Sequence, residues 1–432
     1  TPTPTATPTG GSTGADTPAT FLSDKIAVPA ETVRVGILAN TKTYRYAVST
    51  VTLANTNGSS FEYGTFASDR TFTKAGTIAS SSITITTNGS TFTVKNASGT
   101  VVYTGGGNLA IHPVASSGKA LTRVNGGYRY FGDFELRQAY NAAGYITVIN
   151  YLNVEDYVKG VLPYEFSPAW PAETLKAAAI TARNIVMTAT WSTYSSFGFD
   201  IMSNDGTQTY RGRGESYAES YFAGSDAAVD ATKGVYLTYS SGGTNRLCVT
   251  TYFSSDGGAT EDAAHIWGTA HSYLIGKIDP YEASVKNLAG YYEKTVTVSR
   301  TGTQMMNLAV NAGLGSTTIA KDGIQIETYP ATGNVKSIVL TGANGKTATI
   351  SQSSSFTRWN FLAAVGITAY SYRFSVTYNA TADTFTITRT GWGHNVGMSS
   401  WGAYAMAKNY NKTYQDILGF YYTGTHLQYG AY

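Results

Sequence analysis

From residue 31 to residue 115 apolar and polar residues alternate repeatedly, as in TVRVGILA, SSITITT, STFTVKN and TVVYTGGG, with glycine and asparagine turns between the runs. A period of two places successive side chains on opposite faces, so each run reads as a half-buried strand rather than an amphipathic helix. The stretch is therefore expected to be a β-rich N-terminal domain. YRYFGDFELRQAY and GYITVINYLNVEDYVKGVL carry the strands onward. The period then changes. PAETLKAAAITARNIVMTA begins with Pro171, favoured in a first helical turn, and places Glu173 where it suits the helix dipole. Leu175, Ala178, Ala179, Ala182, Ile185, Val186 and Ala189 share one helical face. Alanine makes that face thin, so its partner must pack closely. Strands followed by helices of this kind predict an α+β fold, with core helices on antiparallel strands.

The remaining chain reads as strand and turn over 220–280, followed by a β-rich subdomain inserted at about 296–388. In that insert a helix is expected near TGTQMMNLAVNAGLG and strands at GIQIETYP, VKSIVLTG and KTATISQ. A short helix from about Ser355 and strands YRFSVTYN and TFTITRTG complete it. Two helices near 399–408 and 414–421 close the chain, making 116–432 one core with an insert. The opening TPTPTATPTGGSTGADTPAT has nothing to bury and reads as a disordered Thr/Pro linker over 1–30. It lacks the charged and apolar parts of a signal peptide. A stalk of this kind suits a secreted or cell-surface protein whose signal or anchor segment has been removed.

Composition excludes several functions. Charged residues are 13% of the chain, about half the ~25% of a soluble domain, against 33 tyrosines and 46 glycines. Hydroxyl, amide and aromatic groups therefore carry the surface, as carbohydrate recognition requires. A net charge of +3 gives no basis for a nucleic-acid partner. The single Cys248 excludes an internal disulfide and any multi-cysteine metal site. No apolar run approaches the ~20 residues of a transmembrane helix.

Residues 391–407, GWGHNVGMSSWGAYAMA, combine backbone freedom, an imidazole and two indoles before a helical pattern begins. This stretch, together with VINYLNVEDYVKGVLPYEFSPAWPAETLKAAAITARNIVM, DGTQTYRG, VTTYFSSDGGATEDAAHIWG, SYLIGKIDPYE, SSFTRWNFLAAVG and YQDILGFYYTGT, resembles the stage II sporulation protein D family, which includes the amidase enhancers. The resemblance covers roughly 116–432, with the blocks in family order. It implies a bacterial cell-wall protein, a lytic transglycosylase acting on peptidoglycan glycan strands stripped of stem peptides.

That chemistry needs one carboxyl group to protonate the leaving oxygen and then act as base while the sugar's own 6-hydroxyl closes on the anomeric carbon. Glu165, in VLPYEFSPAW, occupies the family's catalytic position, with Tyr164, Phe166 and Trp170 as an expected apolar wall and a helix beginning near Pro171. Glu155 and Asp156 are expected to cap a helix rather than to form a catalytic pair. Expected substrate-binding residues are His394, Gly393, Trp392 and Trp401 in the glycine-rich stretch, Gln208 and Tyr210 in DGTQTYRG, and Ser254 in TYFSSDGGATE. Ser399 is expected to cap the following helix. Arg183 matches a family arginine, with a structural ion pair as its simplest use.

Departures from the family pattern bear on activity. Asn395 stands for a glycine and Ser400 for a glutamine in a pattern closer to GHGVGMSQWGA, and Phe253 stands where many relatives carry histidine. Zinc needs about four Cys or His ligands, and Cys248, His265 and His271 have no recognised spacing, so no metal and no cofactor are expected. A wall-glycan-binding protein or amidase enhancer with little turnover, with a cell-wall amidase as partner, stays open beside the transglycosylase. The 31–115 region resembles an extension found in some amidase-enhancer relatives.

Overall fold

The computed structural model describes residues 17–188, 193–203, 207–288, 295–368 and 370–432. The chain forms two compact units, one from Leu22–Val249 with Leu427–Tyr432, the other from Thr250–His426 with the segment up to Phe21. Both mix strands and helices, an α+β fold. No helix among the described residues is long and apolar enough to cross a membrane.

In the first unit the alternating runs become two sheets. One is seven-stranded, in the order Ile201–Met202, Thr32–Leu38, Ala142–Asn153, Asp133–Ala139, Leu109–Val114, Ser60–Phe66 and Phe72–Ile78. The other is six-stranded, in the order Arg129–Phe131, Leu121–Val124, Thr50–Asn55, Ser82–Thr87, Thr91–Asn96 and Val101–Gly106. Period-two burial is plain in Ser82–Thr87, where Ile83 and Ile85 are buried. Short strands at Thr20–Phe21 and Ile26–Ala27 fall inside the stretch read as a linker, whose first 16 positions lie outside the described residues.

The long strand Ala142–Asn153 runs directly into helix α1, Val154–Glu165, and helix α2 follows at Ala172–Thr188. Ala177, Ala178, Ala179 and Ala182 are fully buried, so the thin face does receive a close partner. Asn184 accepts from Leu237 N–H at 2.9 Å and donates to Leu237 O at 2.7 Å, fastening α2 to strand Val235–Ser241. Ala189 lies outside the described residues. Helix α3, Ala223–Ala231, and a short helix at Ala263–Trp267 replace parts of the expected strand-and-turn alternation. Ala223, Ala227, Ala228 and Ala231 favour helix there and give a strand little to pack.

In the second unit one apolar cluster includes Met305, Leu308, Ile324, Ile338, Leu340, Phe361, Leu362 and Ile387. It is enclosed by two three-stranded sheets, Val296–Arg300/Thr384–Thr390/Arg373–Asn379 and Ile319–Thr328/Val335–Gly342/Thr347–Ile350. The helix expected from about Ser355 begins at Arg358 behind a Thr357–Asn360 capping box. Ser399 caps the helix Ser400–Tyr410 as expected, accepting from Gly402 N–H at 3.1 Å. The last helix runs Tyr414–Tyr421.

Candidate active site

In the first unit, α1 forms because Asn153 accepts Glu155 N–H at 2.8 Å and Val154, Tyr157, Val158, Val161 and Leu162 bury one face at helical spacing. The helix ends at Glu165. The expectation placed this carboxylate ahead of a helix beginning near Pro171; it closes a helix of its own, and the next starts at Ala172. Glu165 is half-buried, and its Oε1 accepts Thr209 N–H at 2.7 Å.

Thr209 reaches it because Gly160 lets the 207–214 segment lie against α1. A Cβ at Gly160 would sit 2.4 Å from the Tyr210 ring. Arg211 N–H donates to Gly160 O at 3.1 Å in the same contact. Gln208 and Tyr210, expected to line a cleft, are each 1% exposed. Tyr157 OH donates to Gln208 Oε1 at 2.9 Å, and Tyr210 OH to Asn150 Oδ1 at 2.6 Å. The Tyr157 and Tyr130 rings flank Tyr210 at 5.1 and 5.4 Å. Both residues anchor the segment whose intervening backbone N–H meets Glu165.

The expected wall is partly present. Phe166 is buried, with its ring edge-on to half-buried Trp170 at 5.9 Å. The Tyr164 hydroxyl is buried without a partner among the described residues, and burial raises its pKa. The Arg211 guanidinium lies over the Tyr164 and Tyr128 rings at 5.9 and 5.8 Å. Exposed Tyr217 and Tyr221 stack at 4.3 Å. Thr209, Arg211 and the Tyr217–Tyr221 pair were not identified from the sequence; DGTQTYRG pointed to the segment but not to its backbone donor.

The other carboxylates of α1 are occupied. Glu155 holds Arg183 Nη2 at 2.6 Å and Nε at 3.1 Å, and Asp156 holds Lys119 Nζ at 2.5 Å. Neither caps the helix. Asn153 does, and both acids fall in the first turn.

In the second unit, the glycine-rich stretch wraps a loop from Tyr252 to Ala259. Ser255 and Trp392 exchange backbone hydrogen bonds at 3.0 and 2.7 Å. Gly393 has φ +129°, and a Cβ there would lie 2.7 Å from Phe253 Cβ, so Phe253 and Gly393 pack as a pair. Asn395 has φ +60°, which glycine adopts freely and asparagine tolerates. Its buried amide donates to Asp256 O at 3.0 Å and Ala259 O at 3.1 Å, bonds that a glycine would lack. Ser400 Oγ donates to Phe253 O at 3.0 Å.

His394 is engaged at both ring nitrogens. Nε2–H donates to Tyr252 O at 3.1 Å, and Nδ1 accepts Val396 N–H at 3.2 Å. Burial drives its pKa down to about 4, so the ring is neutral near pH 7. Trp392 is 41% exposed, whereas Trp401 is 5% exposed and packs on Tyr404 at 5.3 Å. Two exposed aromatics were not singled out from the sequence: Trp267, 5.0 Å from His394, and Tyr370, stacked on Trp359 at 4.9 Å. The Tyr370 carbonyl accepts Gly393 N–H at 2.7 Å, placing it beside Trp392 in the chain's path. Half-buried Ser254 accepts Trp401 N–H through its carbonyl at 3.1 Å.

Among the described residues, two acidic groups gather in the second unit: Glu261, Asp262 and His265, and the fully buried Asp256, Asp279 and Glu282. His265 Nδ1 bonds Glu261 Oε1 at 2.8 Å, and Thr332 and Asn334 donate to Glu261 Oε2. Glu282 accepts from the Ser255 and Ser399 hydroxyls and from Asp256 N–H. Asp279 accepts Tyr421 OH at 2.6 Å. Burial, then the neighbouring Glu282 and Asp279 charges, raises the Asp256 pKa. Among the described residues Asp256 Oδ2 is buried without a hydrogen-bond partner. The Cys248 thiol is buried in the first unit, and burial pushes its pKa up.

Comparison with known proteins follows this geometry. The family described as SpoIID, stage II sporulation protein, matches residues 142–239, which carry α1, α2 and the Thr209 segment. An uncharacterized protein of Brachyspira hyodysenteriae is 32% identical over 286 residues, covering 65% of this chain and 68% of its own. Stage II sporulation protein D of Bacillus subtilis is 27% identical over 286 residues, covering 63% and 74%. The amidase enhancer of Bacillus subtilis is 27% identical over 305 residues, covering 62% of this chain but only 40% of its own.

Proposed function

This chain belongs to the stage II sporulation protein D family, and on that premise we propose that it is a peptidoglycan lytic transglycosylase cleaving peptide-free glycan strands at the bacterial cell wall. Glu165 donates a proton to the leaving glycosidic oxygen, then takes one from the 6-hydroxyl as that oxygen closes on the anomeric carbon to leave a 1,6-anhydro end. One observation carries the assignment. Of the three carboxylates on α1, Glu155 and Asp156 are locked to Arg183 and Lys119, while Glu165 has no ion-pair partner among the described residues. Its Oε1 is fixed by Thr209 N–H, which orients the group and leaves Oε2 for proton transfer. Exposed Tyr217 and Tyr221 in the same unit, and Trp392 in the other, supply stacking faces for sugar rings.

A second reading keeps the glycan contacts without turnover, as a wall-binding protein that assists an amidase. The amidase-enhancer relative favours it, as does His394, whose ring nitrogens are both committed to the backbone. Mass spectrometry of products from peptide-free strands separates the two. Anhydro ends that disappear with Glu165→Gln, a loss of at least ~10²-fold, support the transglycosylase. Reducing ends indicate hydrolysis, and retention of strands without products indicates the binder.

A further inference from the structure

The first unit holds a cavity of about 330 Å³ whose lining includes Asn40, Asn108, Arg137, Gln138, Tyr140 and Phe197. None of these residues belongs to the Glu165 surroundings. Its volume lies at the lower end of the ~300–1,000 Å³ range of small-ligand sites, suited to a compact ligand.

Its polar groups are held in place. Arg137 donates through Nε to Glu135 at 2.8 Å, with Nη2 2.7 Å from the same carboxylate, and Glu135 is 3% exposed. Beneath the guanidinium is Gly198, with φ +90°, where a Cβ would lie 1.9 Å from Nη1. Only glycine leaves room for the arginine there. The Gln138 amide is held by the Thr87 hydroxyl at 2.8 Å. The buried Asn40 side chain accepts Ala47 N–H at 3.0 Å and faces the Tyr140 carbonyl. Tyr140 stays 38% exposed although its ring is braced edge-on by Phe197 at 5.0 Å. Alternation along strand Ala142–Asn153 puts Tyr145, 46% exposed, on the same face as Thr147.

The charge balance selects among ligands. Among the described residues the one cation lining the cavity, Arg137, is already neutralised by Glu135, so the cavity offers an anion little net attraction. It offers amides, hydroxyls and an open aromatic face, the groups that bind uncharged polyhydroxylated rings. We propose that this cavity is a separate binding site for a neutral N-acetylated sugar residue of a glycan strand, with Tyr140 as the stacking face. The N-acetylated class rests on the glycan reading above; the neutral saccharide rests on the cavity alone. Held at this site as well as at Glu165, a long strand is retained by linked contacts rather than by one.

Hydrogen–deuterium exchange on the full chain carrying Glu165→Gln tests this, with chitotriose as the neutral N-acetylated probe and inorganic phosphate as the anionic one. Chitotriose should slow exchange in peptides covering 105–109, 137–147 and 195–198, and phosphate should not. Tyr140→Ala should weaken that protection at least fivefold in midpoint concentration, while Tyr140→Phe retains it. Asn108→Ala, at an exposed turn, gives a second variant with no burden on the fold. Protection confined to 157–166 and 207–221 would overturn the cavity site while leaving the Glu165 reading intact. Protection by phosphate that survives Tyr140→Ala would make it an anion site instead. Failure of the unmutated chain to release anhydro products bears on Glu165 alone.

Discussion

Glu155→Gln removes one charge from the centre of the first unit. Arg183 is fully buried and donates Nε and Nη2 to Glu155 at 3.1 and 2.6 Å and Nη1 to Val235 O at 3.0 Å. Glu155 also accepts Gly234 N–H at 2.9 Å, so one carboxylate ties α1, α2 and the turn before strand Val235–Ser241 together. Glutamine keeps the size but turns an amide NH₂ toward the guanidinium and leaves a buried cation unpaired. Breaking a buried pair from one side costs about 3–5 kcal/mol, a large share of the ~5–15 kcal/mol that holds a domain together. Urea unfolding followed by far-UV circular dichroism should show the midpoint of the first unit's transition falling with little change in slope. The double variant Glu155→Gln/Arg183→Met removes both charges and should recover most of the loss. Glu165→Gln should not move that midpoint comparably, and Glu155→Gln at temperatures where it is folded should still release anhydro products. A loss below ~1 kcal/mol for Glu155→Gln, or a double variant no better than the single, would refute the argument that this pair clamps the helices.

The remaining predictions concern the second unit. His394, with its pKa driven down to about 4, contributes stability that is present above its ordinary value of 6.5 and lost as pH falls toward 4; the full shift corresponds to ~3 kcal/mol, reduced by the ring's residual solvent contact. His394→Gln, which keeps a donor for Tyr252 O, should flatten the acid limb of a melting-temperature profile; an unchanged limb would remove His394 as its source. Asp256 acts in the opposite sense. Its raised pKa contributes stability fully present below its ordinary 3.8 and lost as pH rises through the folded value, so Asp256→Asn should lose less stability than the parent as pH rises. A steeper loss in the variant as pH rises would remove Asp256 as the source of this dependence. Trp392→Ala should leave melting nearly unchanged and weaken retention of peptide-free strands at least fivefold in a sedimentation assay, whereas Trp401→Ala should cost ~3–5 kcal/mol of stability. Equal effects from the two would mean that exposure does not distinguish a stacking face from a core indole.

Local periodicity and backbone geometry were legible in the sequence alone. The alternating runs became strands, the strands expected at VKSIVLTG and YRFSVTYN formed, and Ser399 capped its helix, because side-chain period and capping chemistry act within a few residues. The α+β class followed from the same signals, and Arg183 met the acid that a buried arginine requires. What a polar side chain points at was decided by tertiary structure. Gln208 and Tyr210 turned inward because buried hydroxyls and amides must find partners, and Tyr157 and Asn150 waited there from another part of the chain. That packing, permitted by the missing side chain of Gly160, exposed Thr209 N–H to Glu165, and no spacing within DGTQTYRG encodes it. The apparent substitution at Asn395 is a positive-φ position filled by a residue whose amide then bridges Asp256 and Ala259. Asp256 joined Asp279 and Glu282 across a long stretch of chain because the folded loops carried all three out of water, where hydroxyl and backbone donors meet Glu282 and Asp279 in a cluster that the separate residues do not announce.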